Sequence, residues 1–386
     1  MKIVIASDSF KENLTSLQVA SCIEKGIKKV LPKAKIFKVP MADGGEGTVQ
    51  ALVDATGGKI IRKKVTGPDG NKVTARYGIL GDGVTGVIEM AEASGLHLVE
   101  KEDRNPLTAT TYGTGELIAD AMKRGIETII IGLGGSATVD GGAGMAQALG
   151  VRFLDKGGNE ITHHLGGGRL KVIASIDMSQ INPLVRKTKI IIASDVTNPL
   201  AGKKGAAYVF GPQKGATPAQ VKTLDENLKY FGQLIKKDLK KDIASKPGAG
   251  AAGGLGAALM AFTRSSMKRG VDLVVKVTEL EKYLKGADLV ITGEGRVDFQ
   301  TAFGKTPAGV AKAAKKYKVP VVAIGGCLAD DARGVFDHGI HGLDAAAAKD
   351  MSFEEAIKNS RKHLELAGER VIRMILIGKK MARKKK

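Results

Sequence analysis

The chain begins with Met1-Lys-Ile-Val-Ile-Ala-Ser-Asp8, a short apolar run that ends at a carboxylate. Residues 13–30 follow with apolar side chains at helical spacing, so the two segments predict a β-strand and then an α-helix. A second strand at 36–39, a second helix at 46–55 and a third strand at 59–65 continue the alternation. Such an alternation is typical of a parallel sheet with helices on its faces.

The last hundred residues repeat this alternation. Before a long helix from about Ser352, the sequence predicts strands at 288–292 and 319–324 and helices at 306–317 and 331–338. Neither end of the chain has enough strands to bury a parallel sheet on both faces by itself.

Pairing the two ends of the chain into one sheet removes that difficulty. We therefore predict an α/β fold with a Rossmann-like (flavodoxin-like) parallel-sheet domain made of residues 1–70 and 286–386. Residues 71–285, which mix helices with strands, then form an inserted second α/β domain. A length of 386 residues agrees with two domains, since single cores seldom grow beyond about 250–300 residues.

The composition is that of a globular protein. No stretch approaches the roughly 20 apolar residues of a membrane span. The two cysteines, Cys22 and Cys327, are too few for a disulfide scaffold or a cysteine-based zinc site. We expect a cytoplasmic protein without a membrane partner, and the sequence leaves the oligomeric state open, a homodimer included.

The net charge of +20 raises the alternative of a nucleic-acid-binding protein. Against it, the chain has no tryptophan and only 4% aromatic residues, so it offers few platforms for stacked bases. The lysines are also scattered along predicted helices, as on a solvated surface. We expect no nucleic-acid partner, although a positive field would still attract anionic substrates.

Glycine accounts for 51 residues and gathers in loops that also carry charge. These loops are Asp43-Gly-Gly-Glu-Gly-Thr48, Gly134-Gly-Ser-Ala-Thr-Val-Asp-Gly-Gly-Ala-Gly144, Gly211-Pro-Gln-Lys-Gly215, Pro247-Gly-Ala-Gly-Ala-Ala-Gly-Gly254 and Thr292-Gly-Glu-Gly-Arg-Val-Asp298. Successive backbone N–H groups in such loops form concavities that hold anions. Each loop alone would serve equally as a tight turn, but together they predict a phosphate-and-metal site. The candidate nucleotide- and phosphate-binding residues in them are Gly44, Gly45, Gly134, Gly135, Ser136, Lys214 and Gly253.

One glycine loop suggests a different class of enzyme. Gly132-Leu-Gly-Gly-Ser-Ala137 follows an apolar strand and matches the relaxed dinucleotide fingerprint, with Asp155 about twenty residues further on. A nicotinamide-dependent oxidoreductase is therefore an alternative. Against it, the glycines of residues 139–144 interrupt the helix that a Rossmann unit needs.

Gly304-Lys-Thr306 resembles the end of a Walker A loop. The first glycine of that motif is missing, because Phe299 stands in its place. Lys305 remains a candidate phosphate ligand. Alternatively, Thr306 caps a helix that carries Pro307 in its first turn, and the two interpretations are compatible because helix N-termini bind anions.

Carboxylates follow three of the predicted strands, at Asp8, Asp195 and Glu294. In open α/β sheets, ligands bind in the crevice at the carboxyl ends of the strands. Each of these acids could also be a helix cap or part of a loop ion pair. Because the histidines show no metal-binding pattern, any metal is expected to be Mg²⁺ on oxygen ligands, with Asp43 and Glu294 as the candidates.

Taken together, these segments resemble the type 1 family of glycerate kinases, bacterial enzymes that phosphorylate D-glycerate with ATP. The resemblance rests on residues 7–14, 43–48, 111–116, 134–145, 195–200, 208–215, 247–254, 292–298 and 304–307. It covers the chain in order to about residue 345. The sequence departs from the family pattern after His341. Residues 345–349 form a shorter link to the last helix than is usual in the family, and the polybasic tail is an addition.

The resemblance implies a Rossmann-like domain from both chain ends, an inserted α/β domain and an active site in the cleft between them. It also implies ATP and Mg²⁺ as cofactors and phosphorylation of the 2-hydroxyl, which gives 2-phosphoglycerate and ADP. The alternative product, 3-phosphoglycerate, stays open.

The substrate implied by the resemblance suggests roles for single residues. Arg296 is the candidate clamp for the glycerate carboxylate, because a guanidinium grips a carboxylate with two hydrogen bonds, and Asp8 and Lys11 are further substrate-binding candidates. A loop salt bridge is the alternative for Arg296. Asp195 is the candidate catalytic base, since a hydroxyl needs a carboxylate to accept its proton. Its alternative is a carboxylate that stabilises the Asn198-Pro199 bend.

Overall fold

The computed structural model describes residues 1–347 and 351–384. The strands in these residues are β1 (Lys2–Ile5), β2 (Lys35–Lys38), β3 (Lys59–Thr66), β4 (Lys72–Ile79), β5 (Thr85–Glu89), β6 (Thr128–Gly132), β7 (Arg152–Leu154), β8 (Ser175–Asp177), β9 (Lys189–Ala193), β10 (Arg264–Lys268), β11 (Leu289–Val297), β12 (Val321–Leu328) and β13 (Gly342–Ala345).

The α-helices of the same residues lie between and after these strands. They are α1 (Ser16–Val30), α2 (Thr48–Thr56), α3 (Ala91–Ser94), α4 (Tyr112–Lys123), α5 (Ala143–Ala148), α6 (Leu184–Lys187), α7 (Ala206–Phe210), α8 (Pro218–Leu239), α9 (Leu255–Phe262), α10 (Gly270–Val277), α11 (Leu280–Leu284), α12 (Thr306–Lys315), α13 (Phe353–Lys358) and α14 (Ser360–Arg383).

The chain folds into two compact units, and both are mixed α/β structures. The first comprises Met1–Asp43, Gln50–Thr56 and Gly270–Lys386. The second comprises Gly44–Val49 and Gly57–Arg269. The first unit is thus built from both ends of the chain.

A five-stranded parallel sheet forms the centre of the first unit, in the order β2-β1-β11-β12-β13. Numbered along this unit alone, the order is 2-1-3-4-5, the flavodoxin-like order that the sequence predicts. Helices α1 and α14 pack against each other and share a core with β1 and β11. They approach closely because Gly26 lies against the carbonyl oxygen of Glu365, where a Cβ would overlap.

The second unit contains a six-stranded sheet in the order β10-β9-β6-β5-β4-β3. Strands β5, β6, β9 and β10 run parallel, whereas β3 and β4 form an antiparallel hairpin at one edge. The central strands β6 and β9 each carry three consecutive isoleucines and are mostly buried, as expected for a sheet covered on both faces.

The compact units differ from the predicted domains at both boundaries, and residues 44–49 also belong to the second unit. Residues 57–70 belong to the second unit, because β3 pairs along its whole length with β4 across the tight turn from Gly67 to Asn71. Residues 270–285 belong to the first unit, because α10 and α11 pack on α12 there. Both differences follow from packing between separate elements, which a division at turn signals overlooks.

The C-terminal segment also differs from its prediction. In place of one long helix from Ser352, the structure has α13, capped by the Ser352 hydroxyl, and then α14 after a break at Asn359. The basic tail continues α14 to Arg383, while residues 385 and 386 lie outside the described residues. Residues 348 and 349 of the predicted short link, and residue 350 after it, lie outside them as well. No helix of the described chain is long and apolar enough to span a membrane.

Candidate active site

Acidic side chains lie at the carboxyl edge of the first unit's sheet, beside the point where the strand order reverses. Asp8 follows β1, and its N–H donates to the carbonyl oxygen of Gly293 at 2.8 Å. Glu294 is the next residue of the neighbouring strand β11. The pairing of β1 with β11 therefore brings two predicted site residues to the position where open α/β sheets bind ligands.

Asp8 is held in a buried network. Its side chain is only 8% exposed, and its Oδ2 accepts a 2.5 Å hydrogen bond from the Thr306 hydroxyl. Its Oδ1 accepts from the Ser9 N–H at 2.7 Å. Burial, together with the neighbouring carboxylate of Asp43, raises the pKa of Asp8 to about 7. A carboxyl group that changes protonation near neutral pH is typical of functional sites.

Lys305 neutralises part of this acidic edge. Its Nζ lies 3.5 Å from Glu294 Oε2 and 3.4 Å from Asp298 Oδ1. The other carboxylate oxygen of Glu294, Oε1, is buried and has no hydrogen-bond partner among the described residues. Burial raises the pKa of Glu294. An orphaned buried oxygen of this kind suits a cation that the protein binds from solution.

Lys305 also stands at the N-terminus of α12, where free backbone N–H groups favour anions. The predicted cap is wrong in detail: Lys305 is the N-cap residue and Thr306 is the first residue of the helix. The Thr306 hydroxyl does not cap α12, since it donates to Asp8.

The two other cations predicted near the substrate are exposed. Arg296 lies on β11 opposite Cys327 of β12, and Lys11 lies in the tight turn between Phe10 and Leu14. Within residues 1–347 and 351–384, neither side chain makes a hydrogen bond or an ion pair. The loop salt bridge considered for Arg296 is therefore not found in this part of the chain, and its guanidinium is available to an anionic ligand.

In the second unit, the predicted glycine loops come together. Gly132 lies against the carbonyl oxygen of Gly44, and Gly134 lies against the Cα of Gly45. Gly135 has a φ of +72°, which other residues rarely adopt. Gly253 lies against Thr138, where a Cβ would overlap the backbone. The loops at 44–48, 132–138 and 247–254 thus form one cluster.

Lys214 lies beneath this cluster. Its side chain is 2% exposed, and its Nζ donates to Ser136 Oγ at 2.6 Å and to the carbonyl oxygen of Thr138 at 2.7 Å. Burial lowers the pKa of Lys214 to about 7. In this conformation the buried Lys214 ammonium holds the loop by hydrogen bonds, whereas the sequence analysis made Lys214 a candidate phosphate ligand.

Two buried acids that the sequence analysis did not select hold the same loops. Asp140 accepts hydrogen bonds from the Thr111 N–H at 2.8 Å, the Thr111 hydroxyl at 2.7 Å and the Gly142 N–H at 3.0 Å. Glu89, at the end of β5, accepts from the Val49 N–H at 2.7 Å. Burial raises the pKa of both acids, in Glu89 to about 7. Glu89 could have been found in the same way as Asp8, which was selected as an acid at the end of a predicted strand.

Asp195 lies two residues after β9, as the sequence predicts. Its carboxylate is 36% exposed and lies 3.4 Å from the Nε of Arg269. The carboxyl ends of the parallel strands in the second unit therefore carry Glu89, the Gly134 loop and Asp195. No group of three or more acidic, histidine or cysteine side chains in the described residues is arranged to hold a metal ion.

The dinucleotide fingerprint lacks its helix. Strand β6 ends at Gly132, and the next helix, α5, begins only at Ala143. A Rossmann fingerprint needs the helix to begin within the glycine loop, so that its N-terminus faces the pyrophosphate. The structure at this loop does not support nicotinamide binding.

Known proteins resemble this chain over nearly all of its length. The sequence model of the glycerate kinase family matches residues 3–376. A glycerate kinase of Halalkalibacterium halodurans is 55% identical over 96% of this chain and 97% of its own. The glycerate 2-kinase of Escherichia coli K12 is 49% identical over 99% of this chain and 100% of its own.

A solved structure agrees with these sequence matches. The crystal structure of a candidate glycerate kinase 2 from Salmonella typhimurium LT2 superposes with a TM-score of 0.89 at 48% sequence identity. The match covers 98% of this chain and 99% of that one. The predicted resemblance and the α/β fold class are confirmed.

Proposed function

Because the chain belongs to the glycerate kinase family, we propose that it transfers the γ-phosphoryl group of ATP to the 2-hydroxyl of D-glycerate. The products are 2-phosphoglycerate and ADP. The observation that carries this proposal is the near-complete alignment with the glycerate 2-kinase of Escherichia coli, at 49% identity. The enzyme is thus a kinase with an alcohol group as acceptor.

The arrangement of the site residues supports phosphoryl transfer. Such a reaction depends mainly on positioning and on neutralising charge. We propose that Arg296 and Lys11, both exposed and without ion pairs in the described residues, bind the glycerate carboxylate, with Asp8 beside them. Lys305 and the glycine loops around Gly44, Gly134 and Gly253 offer N–H groups and positive charge for phosphates.

One carboxylate must accept the hydroxyl proton. The 2-hydroxyl oxygen forms a bond to the γ-phosphorus, the bond from that phosphorus to the ADP oxygen breaks, and the hydroxyl proton passes to the carboxylate. We propose Asp195 for this role, because it lies exposed at a strand end. Asp8, which follows β1 at the carboxyl edge of the first unit's sheet, is a second candidate.

Mg²⁺ fits the acidic edge of the first unit. The ion prefers one or two carboxylates together with substrate phosphates, so a preformed group of three ligands is not required. Glu294 has a buried oxygen without a partner in the described residues, and Asp43 raises the pKa of Asp8 by its negative charge. Asp43 and Glu294 would hold the ion. When bound, Mg²⁺ neutralises charge on the phosphate oxygens.

Several finer properties complete the proposed function. We propose that the enzyme acts in the cytoplasm on small molecules alone, without a nucleic-acid or membrane partner. The scattered positive charge then serves to attract two anionic substrates, glycerate and ATP.

An ATP-consumption assay with D-glycerate tests the proposal, with the phosphorylated carbon located by NMR. We expect Mg²⁺-dependent formation of ADP and 2-phosphoglycerate. Formation of 3-phosphoglycerate would support the other regiochemistry. Reduction of a nicotinamide cofactor by a hydroxy acid, without any consumption of ATP, would reject the kinase function.

A further inference from the structure

The first unit carries an exposed aromatic surface that the proposed function has not used. Phe303 is 70% exposed and Phe299 is 51% exposed, and their ring centroids lie 6.1 Å apart. The ring of the exposed His338 lies 5.7 Å from that of Phe303. These three rings are called the aromatic platform below.

Two short 3₁₀ helices present the platform. Residues Phe299–Ala302 form the first, and residues Ala332–His338 form the second. The Asp298 carboxylate caps the first helix, and the Phe299 N–H donates to Asp331 Oδ1 at 3.2 Å, next to the second. The rings are therefore presented to solvent by two hydrogen-bonded 3₁₀ turns.

Such exposure is unusual for this chain. Aromatic residues make up only 4% of it, and each phenylalanine that the structure describes as exposed lies on or beside these two short helices. Isolated exposed apolar side chains need no explanation, but contiguous ones mark binding surfaces. The platform also follows the carboxyl end of β11, the edge at which open α/β sheets bind ligands.

A lysine and a helix N-terminus next to the platform point to the kind of ligand. Lys305 is two residues after Phe303, a span of at most about 7 Å of chain, and α12 begins with its free N–H groups immediately afterwards. A planar apolar surface thus adjoins a site for anions. A nucleotide has the matching chemistry, because it joins a planar base through one ribose to its phosphates.

We propose, on the basis of the kinase function above, that Phe303 with Phe299 and His338 is the surface on which the adenine ring of ATP stacks. Lys305 and the N-terminus of α12 then face the phosphate side of the same nucleotide. This assigns the adenine ring to the first unit, a choice that the sequence left open.

Substitution of Phe303 by leucine separates stacking from simple apolar contact, because leucine keeps bulk and loses the aromatic face. Base stacking on an aromatic side chain contributes about 1–3 kcal/mol, so the KM for ATP should rise roughly fivefold to a hundredfold. The KM for glycerate should not change. Tyr208→Leu, which removes an exposed aromatic ring in the second unit, is the matched control and should leave both constants unchanged.

Two inhibitors distinguish the base from the phosphates. Adenosine should compete with ATP in the wild-type enzyme and lose affinity in Phe303→Leu, whereas inorganic tripolyphosphate should inhibit both enzymes equally. Equal affinity of both enzymes for adenosine would overturn the proposal. Loss of self-association in Phe303→Leu, measured by sedimentation with an unchanged KM for ATP, would also overturn it and would make the platform an interface between copies of the chain.

A fluorescence titration does not depend on the enzyme's activity. The chain has no tryptophan, so Phe303→Trp introduces a single indole probe. Adenosine and ATP should quench its emission, and tripolyphosphate should not. If the wild-type protein fails to phosphorylate glycerate, this titration still decides whether adenine binds here. An unchanged emission spectrum at saturating ATP would reject the adenine site even in an active kinase.

Discussion

Replacing Glu89 by glutamine tests how the buried acid beneath the 44–49 loop affects stability. Glu89 is buried, and its Oε1 accepts a 2.7 Å hydrogen bond from the Val49 N–H. Burial raises the pKa of this carboxyl from 4.5 to about 7. Glutamine keeps an acceptor oxygen of the same shape, so the variant removes the ionisation while the hydrogen bond can remain.

The direction of the effect follows from proton binding. Between about pH 4.5 and about pH 7, the folded protein holds a proton on Glu89 that the unfolded chain has released. The contribution of Glu89 to stability is therefore fully present below about pH 4.5 and is lost as the pH rises through about 7. A pKa rise from 4.5 to about 7 corresponds to about 3 kcal/mol at most.

Urea unfolding, followed by circular dichroism at about pH 5 and about pH 8, measures this difference. The free energy of unfolding of Glu89→Gln, relative to wild type, should increase by about 2–3 kcal/mol between the two pH values. Glu160→Gln, at an exposed residue of the same unit, is the control and should show no such change. If the wild-type and Glu89→Gln stabilities vary in parallel with pH, Glu89 ionises normally and the reasoning is refuted.

Four further variants test the remaining roles. Asp195→Asn should lower kcat by roughly 10²–10⁴ in the ATP-consumption assay while both KM values hold, because it removes the proposed base. Arg296→Lys keeps the positive charge but loses the pair of hydrogen bonds that a guanidinium donates to a carboxylate. The KM for glycerate should therefore rise roughly tenfold, with the KM for ATP unchanged. Lys214→Met leaves Ser136 and the Thr138 carbonyl without their donor, so unfolding should need about 1–3 kcal/mol less and the KM for ATP should rise. Deleting residues 379–386 should leave kcat and both KM values nearly unchanged at moderate salt, since long-range attraction is then screened.

Each of these outcomes can fail separately. A loss under about threefold in Asp195→Asn, with a large loss in Asp8→Asn, would assign the base to Asp8. An unchanged KM for glycerate would remove Arg296 from the substrate site. A Lys214→Met enzyme of wild-type stability and KM would show that the loop holds its shape without the buried ammonium. A large loss of activity on deleting the tail would show that the end of α14 takes part in function.

Local properties of the sequence predicted the elements well. The spacing of apolar residues after Asp8 predicted α1, which Thr15 and Gln18 cap, and the alternation at both chain ends predicted the parallel sheet. Acids predicted to follow a strand do so at Asp8 and Asp195, because a strand and the residues after it are contiguous, whereas Glu294 lies within β11, which continues to Val297. Domain boundaries were less reliable, because β3 pairs with β4, which comes after it in the chain, and therefore belongs to the second unit and not to the unit of the strands before it.

The sequence by itself determined the class of fold, the glycine loops and the family, because periodicity, turn residues and motif order are properties of neighbouring residues. Only the tertiary structure decided that Lys214 points inward, that Glu89 supports a loop forty residues earlier, and that Asp8 meets Thr306 across the chain. A pKa depends on burial and on charges brought near by folding, and neither can be read from spacing along a chain.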